Sequence, residues 1–258
     1  LSMISLNWLP STAFLFILIF ARVGSILMLI PALGETAIPA RMRLTFALAL
    51  SMVLYPIVTP GLPPLPDNLW AMVAFILHEI AIGLIIGSIA RLAVSGTQVA
   101  GSIIASTSGL SVAVAADPVN GGVQGALIGA FLSMLGVALI FATDLHHVAI
   151  TAIHDSYMIF KVTDPLMFGD AANTIVESVA GAFVVGVQMS APFIVFGLVF
   201  NLGMGILSRL MPQLQVFFLA MPATVGVGLV LMALLLTMMT GLYLMHYEGV
   251  LAMLRGVA

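Results

Sequence analysis

The sequence predicts an all-α protein built from membrane-associated hydrophobic helices and helical hairpins. Hydrophobic residues make up 62% of the 258 residues and charged residues only 7%, a balance far from that of soluble domains. The apolar residues are concentrated in long runs that lack the alternation of an outer-membrane barrel. These runs are rich in Leu, Met and Ala, which favour helix.

Six apolar runs are long enough, or nearly so, for helices that cross a bilayer, which needs about 20 residues. They cover residues 8–33, 44–58, 69–90, 123–143, 178–207 and 216–245. No Lys or Arg precedes Arg22. The basic start of a cleaved signal peptide is therefore missing, and we expect the first run to stay in the mature chain.

The few charges suggest an orientation. Arg41 and Arg43 follow the first run, Arg91 ends the third and Arg209 follows the fifth. The positive-inside bias places these three connections in the cytoplasm. It places the turn with Asp67 and the acidic segment 144–177 on the other side.

Composition also excludes several classes of protein. The chain has no cysteine, which rules out disulfides, thiol catalysis and Cys-ligated metal. A net charge of −3 with seven basic residues excludes a nucleic-acid footprint. The 17 methionines are interpreted as ordinary packing rather than as a pliable gasket.

The catalytic and metal motifs fail. His78 and Glu79 begin a zinc-protease helix motif, but Ile82 stands where the second histidine belongs. Ser108 precedes Gly109 without the Gly-x-Ser-x-Gly elbow. We predict no enzyme, no catalytic residue, no metal and no cofactor. One group of residues has the side chains that metal coordination needs: Asp144, His146, His147, His154 and Asp155. We favour instead a role for this group in anchoring a helix end at the membrane interface.

Arg22 and Glu79 are charges inside apolar runs, where each costs about 2.5–3.5 kcal/mol on insertion scales. Both are therefore expected to face protein. An ion or proton path stays open as an alternative, but pairing or hydrogen bonding between packed helices is favoured because a relay would need more titratable groups.

Small residues mark two further features. From residue 95 to 122 the chain turns to Ser, Thr, Gly and Ala, with a turn signal at Asp117 and Pro118. We interpret residues 109–122 as a loop held inside protein or a water-filled cavity, because irregular backbone does not survive in lipid. Glycines at four-residue spacing predict close helix packing: Gly83 and Gly87 in the third run, and Gly121, Gly125, Gly129 and Ser133 in the fourth.

Four motifs in order carry a family resemblance. They are FARVG at 20–24 with PALGETAIPARMR at 31–43, Glu79 with Gly83 and Gly87, AG at 100–101 with GLS at 109–111 and DP at 117–118, and NLGMGILSRLMPQL at 201–214. Together they resemble the FliR family of flagellar type III secretion proteins. The last motif is the most specific and contains Arg209, Pro212 and Gln213.

The resemblance implies a non-enzymatic subunit of a helical export gate in the bacterial inner membrane, at the flagellar basal body. It implies FliP-like and FliQ-like partner subunits, FlhA and FlhB as further membrane proteins of the apparatus, contact with membrane lipid, and passage of unfolded secretion substrates. Residues 1–177 would form a FliP-like part and residues 178–258 a FliQ-like hairpin, with some helices above the bilayer plane. The family's plug maps onto the loop that composition singled out, which gives these plug residues: Gly109, Leu110, Ser111, Val112, Ala113, Val114, Ala115, Ala116, Asp117 and Pro118.

The alternative is a self-contained multi-pass secondary transporter with Arg22, Glu79 and the unwound segment as its substrate site. It predicts inverted repeats, and the two halves of the sequence show no convincing correspondence. An intramembrane enzyme is a distant third reading.

Overall fold

The computed structural model describes residues 9–35, 38–109, 126–165, 168–211 and 216–256. Within these ranges the regular structure consists of α-helices and one 3₁₀ turn (Thr59–Gly61), which confirms the predicted all-α class. The helices are α1 (Leu9–Leu29), α2 (Ala40–Val58), α3 (Leu69–Thr107), α4 (Ala126–Ala142), α5 (Leu145–Ile159), α6 (Phe168–Leu210) and α7 (Val216–Leu254).

Five of these helices, α1, α2, α3, α6 and α7, are long and apolar enough to cross a membrane. Helices α4 and α5 together pass the same test but are bent by 78° at the break between them, which would raise the number to six. Each predicted apolar run overlaps one of the helices α1, α2, α3, α4, α6 and α7.

Helix α3 does not end where the sequence suggested. It continues past Arg91 through the Ser- and Thr-rich stretch to Thr107. Arg91 therefore lies inside a helix, so its predicted position in a connection is wrong, and the orientation inferred from it stays a prediction. The hydroxyl groups of the stretch donate to carbonyls three or four residues back in the same helix, for example Ser102 to Val99 at 2.8 Å. These bonds let polar residues persist in an apolar helix.

The acidic segment 144–177 is not a simple connection either. It contains all of α5, and α6 begins at Phe168, ahead of the predicted run. The acidic residue in the first turn of α6, Asp170, suits the positive end of a helix dipole. Acidic composition therefore does not argue against a helix there.

The chain forms two compact units, and their boundaries fall inside α3, α4, α6 and α7. The first unit comprises Leu1–Leu92, Ile140–Ser178 and Glu248–Ala258, and the second comprises Ala93–Leu139 and Val179–Tyr247. The predicted division into 1–177 and 178–258 stays a prediction.

The core of the first unit is formed mainly by α1, α3 and α5. In α1 the buried positions recur at helical spacing, so one face of the helix turns inward, and α2 packs against α1. Buried members of this core include Leu18, Ile19, Val23, Ile26, Ile82, Ile86, Ala149 and Ile153.

The core of the second unit combines small and aromatic side chains, whereas much of its apolar surface is exposed. Its buried residues include Ala93, Ala100, Ile104, Met189, Phe193, Met239 and Tyr243. On α6 a stripe at helical spacing faces outward, formed by Val195, Leu198, Val199, Leu202 and Ile206, each more than half exposed. In α7 only 11% of the most apolar window is buried, against 39% in α1.

Candidate functional site

Arg22 of α1 and Glu79 of α3 form a bidentate ion pair in the core of the first unit. Arg22 Nε donates to Glu79 Oε2 at 2.8 Å and Nη2 donates to Oε1 at 2.7 Å. Both side chains are fully buried. The parallel geometry matches the planar guanidinium to the carboxylate, the strongest form of such a pair.

Two residues of α5 complete the surroundings of Arg22. Its Nη1 donates to the carbonyl of Ser156 at 3.0 Å, and its guanidinium carbon lies 4.1 Å from the centre of the Tyr157 ring. The Tyr157 hydroxyl donates to the Ile19 carbonyl at 3.3 Å. The pair and its surroundings therefore connect α1, α3 and α5.

Sequence reasoning singled out Arg22 and Glu79 but missed Ser156 and Tyr157. Ser156 takes part through a backbone carbonyl, which leaves no trace in residue type. Tyr157 is an aromatic residue in a largely apolar helix, and nothing in the sequence indicates that it contacts a charged partner. Only the three-dimensional packing of α5 reveals either contribution.

The ion pair lies beside the closest approach of α1 and α3. A Cβ atom on Gly83 would lie 2.6 Å from Ser25 Cβ and 2.8 Å from the Arg22 carbonyl oxygen, and one on Gly87 would lie 2.7 Å from Leu29 Cβ. These distances are too short for a side chain. The two glycines are thus placed where α1 packs against α3, which is the kind of contact that the four-residue spacing suggested.

The second unit has a still closer contact, between α3 and α4. A Cβ atom on Gly101 would lie 2.3 Å from both the Cα and the nitrogen of Gly129. Ser133, one turn further along α4, places its hydroxyl oxygen 2.8 Å from that of Thr97. Gly129 and Ser133 of the predicted row thus lie against α3, while Gly121 and Gly125 lie outside the described residues.

Most of the predicted plug also lies outside the described residues. Gly109 is the last residue described before residue 126, and its φ is +69°. Glycine adopts this left-handed conformation without strain, and it commonly ends helices. Residues 110–118 are not described. Of the residues taken from the C-terminal motif, Arg209 lies exposed in the last turn of α6, and Pro212 and Gln213 lie outside the described ranges.

The His and Asp residues around residue 150 separate into two groups. Asp144, His146 and His147 bring one ligand-type atom each to within 4.8 Å of one another. His154 instead contacts Asp155, with His154 Nδ1 and Asp155 Oδ1 3.0 Å apart, and Arg255 donates to the other oxygen of that carboxylate at 3.0 Å.

A cavity of about 370 Å³ in the first unit is bordered by His78, Lys161, Asp164 and Asp170, with isoleucines of α3 as its main apolar wall. His78 Nε2 donates to the Asp164 carbonyl at 3.0 Å at this border. Neither Arg22 nor Glu79 lines the cavity. The ion pair therefore does not border this cavity itself, but His78 at the border lies near it, with His78 Nδ1 3.9 Å from Glu79 Oε1.

Long apolar helices, buried charges paired between helices and glycine contacts of this kind define a polytopic helical membrane protein. Comparison with known proteins gives the family. A model of "Bacterial export proteins, family 1" matches residues 13–250. Similar proteins include the flagellar biosynthetic protein FliR of Caulobacter vibrioides, 46% identical over 85% of this chain and 87% of that protein.

More distant relatives carry the same name. The Bacillus subtilis FliR is 30% identical over 84% of each chain, and the Escherichia coli FliR is 27% identical over 83% of this chain and 81% of that protein. The chain belongs to the bacterial export protein family 1 and is a subunit of the flagellar export apparatus. Its apolar helices and these relatives fit an inner-membrane protein.

Proposed function

We propose that this chain is a non-enzymatic subunit of the flagellar export gate, forming part of the channel wall and carrying its plug. FliP-like and FliQ-like subunits would complete the wall, with FlhA and FlhB nearby, and unfolded flagellar proteins would pass through it. The observation that carries the proposal is the apolar outer face of α6 and α7, combined with membership of the export family.

The outer face is larger than one bilayer crossing requires. Helices α6 and α7 have 43 and 39 residues, which is about 58–65 Å of helix at 1.5 Å per residue, against about 30 Å of hydrocarbon. The exposed stripe on α6, such as Leu198 at 69% and Leu202 at 63% exposure, needs cover by lipid or by other helices. Partner subunits provide that cover where the helices extend above the bilayer plane.

The absence of catalysis rests on how the polar residues are used. The Glu79 carboxylate would be the base of a zinc-protease helix motif, yet both its oxygens accept from Arg22. The same geometry weighs against the transporter alternative. A midplane substrate site needs accessible charge, whereas Arg22 and Glu79 are fully buried and do not line the cavity.

The plug assignment is tested by deleting residues 112–116 in the full chain and expressing it with its neighbouring subunits. We expect normal assembly and a raised leak of ions or small molecules across the inner membrane. A matched control replaces the same five residues by Gly and Ser, which keeps the length and should leak less. Normal assembly with an unchanged leak would show that the loop is not the plug.

The channel-wall assignment is tested by purification with and without co-expressed neighbours. A wall subunit should be stable only in a hetero-oligomer, because its α6 and α7 faces are otherwise uncovered. Transport of a small solute by the purified chain alone in vesicles would favour the transporter instead.

A further inference from the structure

We propose that Asp144, His146 and His147 form a binding site for one divalent transition-metal ion, of the zinc type, between α4 and α5. A metal site needs several His, Cys, Asp or Glu side chains close together. Within the described part of the chain only these three form a group of three or more whose ligand atoms lie within 4.8 Å of one another. The inference is independent of the plug and of the channel wall.

The backbone brings the three side chains together through an unusual conformation. Asp144 has φ 58° and ψ 13°, a left-handed conformation that aspartate and asparagine adopt more often than other residues with a side chain. An aspartate before a helix normally accepts a hydrogen bond from the first turn, but the Asp144 side chain makes no such capping bond. The Asp144 carboxylate therefore does not cap α5 and lies near His147 instead.

The distances suit coordination. Asp144 Oδ1 lies 3.6 Å from His147 Nδ1, and two ligands on a tetrahedral zinc ion are separated by about 3.4 Å at bond lengths of about 2.0–2.1 Å. The His146 and His147 rings have their centres 4.0 Å apart. The side chains of Asp144 and His147 are 78% and 69% exposed, so small rotations can close the set around an ion.

An unpartnered ring nitrogen of His146 also supports the metal site. Its Nδ1 atom is shielded from solvent and has no hydrogen-bond partner among the described residues, although its ring rests 5.2 Å from the centre of the Phe141 ring. A buried polar atom without a partner requires an explanation, and a bound ion is one.

The donor set selects the kind of ion. Two imidazoles and one carboxylate suit zinc, cobalt, nickel or copper, whereas calcium and magnesium prefer all-oxygen sites. Three protein ligands leave at least one position for water or for a donor from a neighbouring subunit. The positive end of the α5 dipole opposes a cation and Asp144 offsets it, so we expect micromolar rather than nanomolar affinity.

The test is zinc titration by calorimetry of the full chain, purified in detergent with its co-purifying subunits, stripped with a chelator and carrying a tag without histidine. We expect one saturable site per chain in excess of what the H147A complex binds. The variants His147→Ala and Asp144→Asn should each weaken this site by about tenfold or more, as loss of a metal-site residue commonly does. Both residues are largely exposed, so these variants should still fold.

The matched control is His154→Ala, because His154 lies on the same helix but is engaged with Asp155. It should bind zinc as the unaltered chain does. Cobalt gives a second readout, since the intact site should produce a visible absorption band that both site variants lose. Absence of a saturable site, equal binding by the H147A variant, equal loss in the H154A variant, or displacement of zinc by equimolar magnesium would each overturn the proposal.

Discussion

In the first unit the closest helix approach lies beside a buried ion pair, whereas in the second unit it lies between two glycines. Arg22 and Glu79 join α1 to α3 by charge-assisted hydrogen bonds, while Gly101 and Gly129 bring α3 and α4 into backbone contact. In lipid, or among partner helices, apolar surface alone favours no particular neighbour. The two units obtain a specific helix neighbour by different means, one directional and one steric.

The largest expected effect comes from breaking the directional contact. Glu79→Ala leaves the Arg22 charge buried without its partner, which costs about 3–5 kcal/mol in comparable pairs. The measurement is the free energy of unfolding in detergent. Replacing both residues by methionine should recover much of the loss, because neither charge then remains buried. Equal stability of the single and double variants would show that the charge itself is not the cause.

Breaking the steric contact should have the next largest effect. Gly101→Ala places a methyl group 2.3 Å from backbone atoms of Gly129, so the helices must separate, at about 1–3 kcal/mol for overpacking. Gly129→Ala is the matched comparison, since its nearest neighbour atom would be 3.4 Å away, and it should be much milder. Gly241 has nothing within 4 Å, so Gly241→Ala should not destabilise. Equal melting temperatures for the first two variants would contradict the steric assignment.

A smaller effect is expected for the hydroxyl contact near the glycines. Thr97 and Ser133 are 2.8 Å apart, and interhelical hydrogen bonds of this kind average about 0.6 kcal/mol in a helical membrane protein. A double-mutant cycle with Thr97→Val and Ser133→Ala should give a coupling energy of that order. A coupling near zero would leave the glycine contact as the source of specificity between α3 and α4.

The smallest effect is expected for an exposed ion pair of the first unit. Arg91 lies 3.5 Å from Glu35, with both side chains substantially exposed, and such pairs contribute about 0–1 kcal/mol. Glu35→Ala should therefore change the unfolding free energy far less than Glu79→Ala does. Comparable losses would mean that burial does not distinguish the two pairs.

The sequence was sufficient for the helical class, for the apolar runs and for the suspicion that Arg22 and Glu79 are special. These features depend on composition and on the cost of charge in an apolar run, both of which are local. The limits of α3 and the existence of α5 were not predictable in the same way. Ser and Thr between residues 95 and 108 suggested a break, because sequence alone does not show that their hydroxyl groups bond to their own helix.

The metal-type cluster shows the same limit at a single turn. The sequence contained five candidate ligands between residues 144 and 155 and did not divide them into groups. The left-handed backbone at Asp144 instead places Asp144, His146 and His147 together. A positive φ at a non-glycine residue follows from tertiary context, so residue spacing alone did not separate this group from His154 and Asp155.

The internally bonded hydroxyl groups of α3 have a consequence for whatever lies beside that helix. Ser102 and Ser106 are exposed, yet both donate their hydrogen to their own helix, to Val99 and Ile103. A neighbouring chain or lipid that shifts along this face therefore breaks no hydrogen bond donated by these two serines. This stretch of α3 is polar in composition, yet the hydroxyl hydrogens of these two serines are already used within the helix.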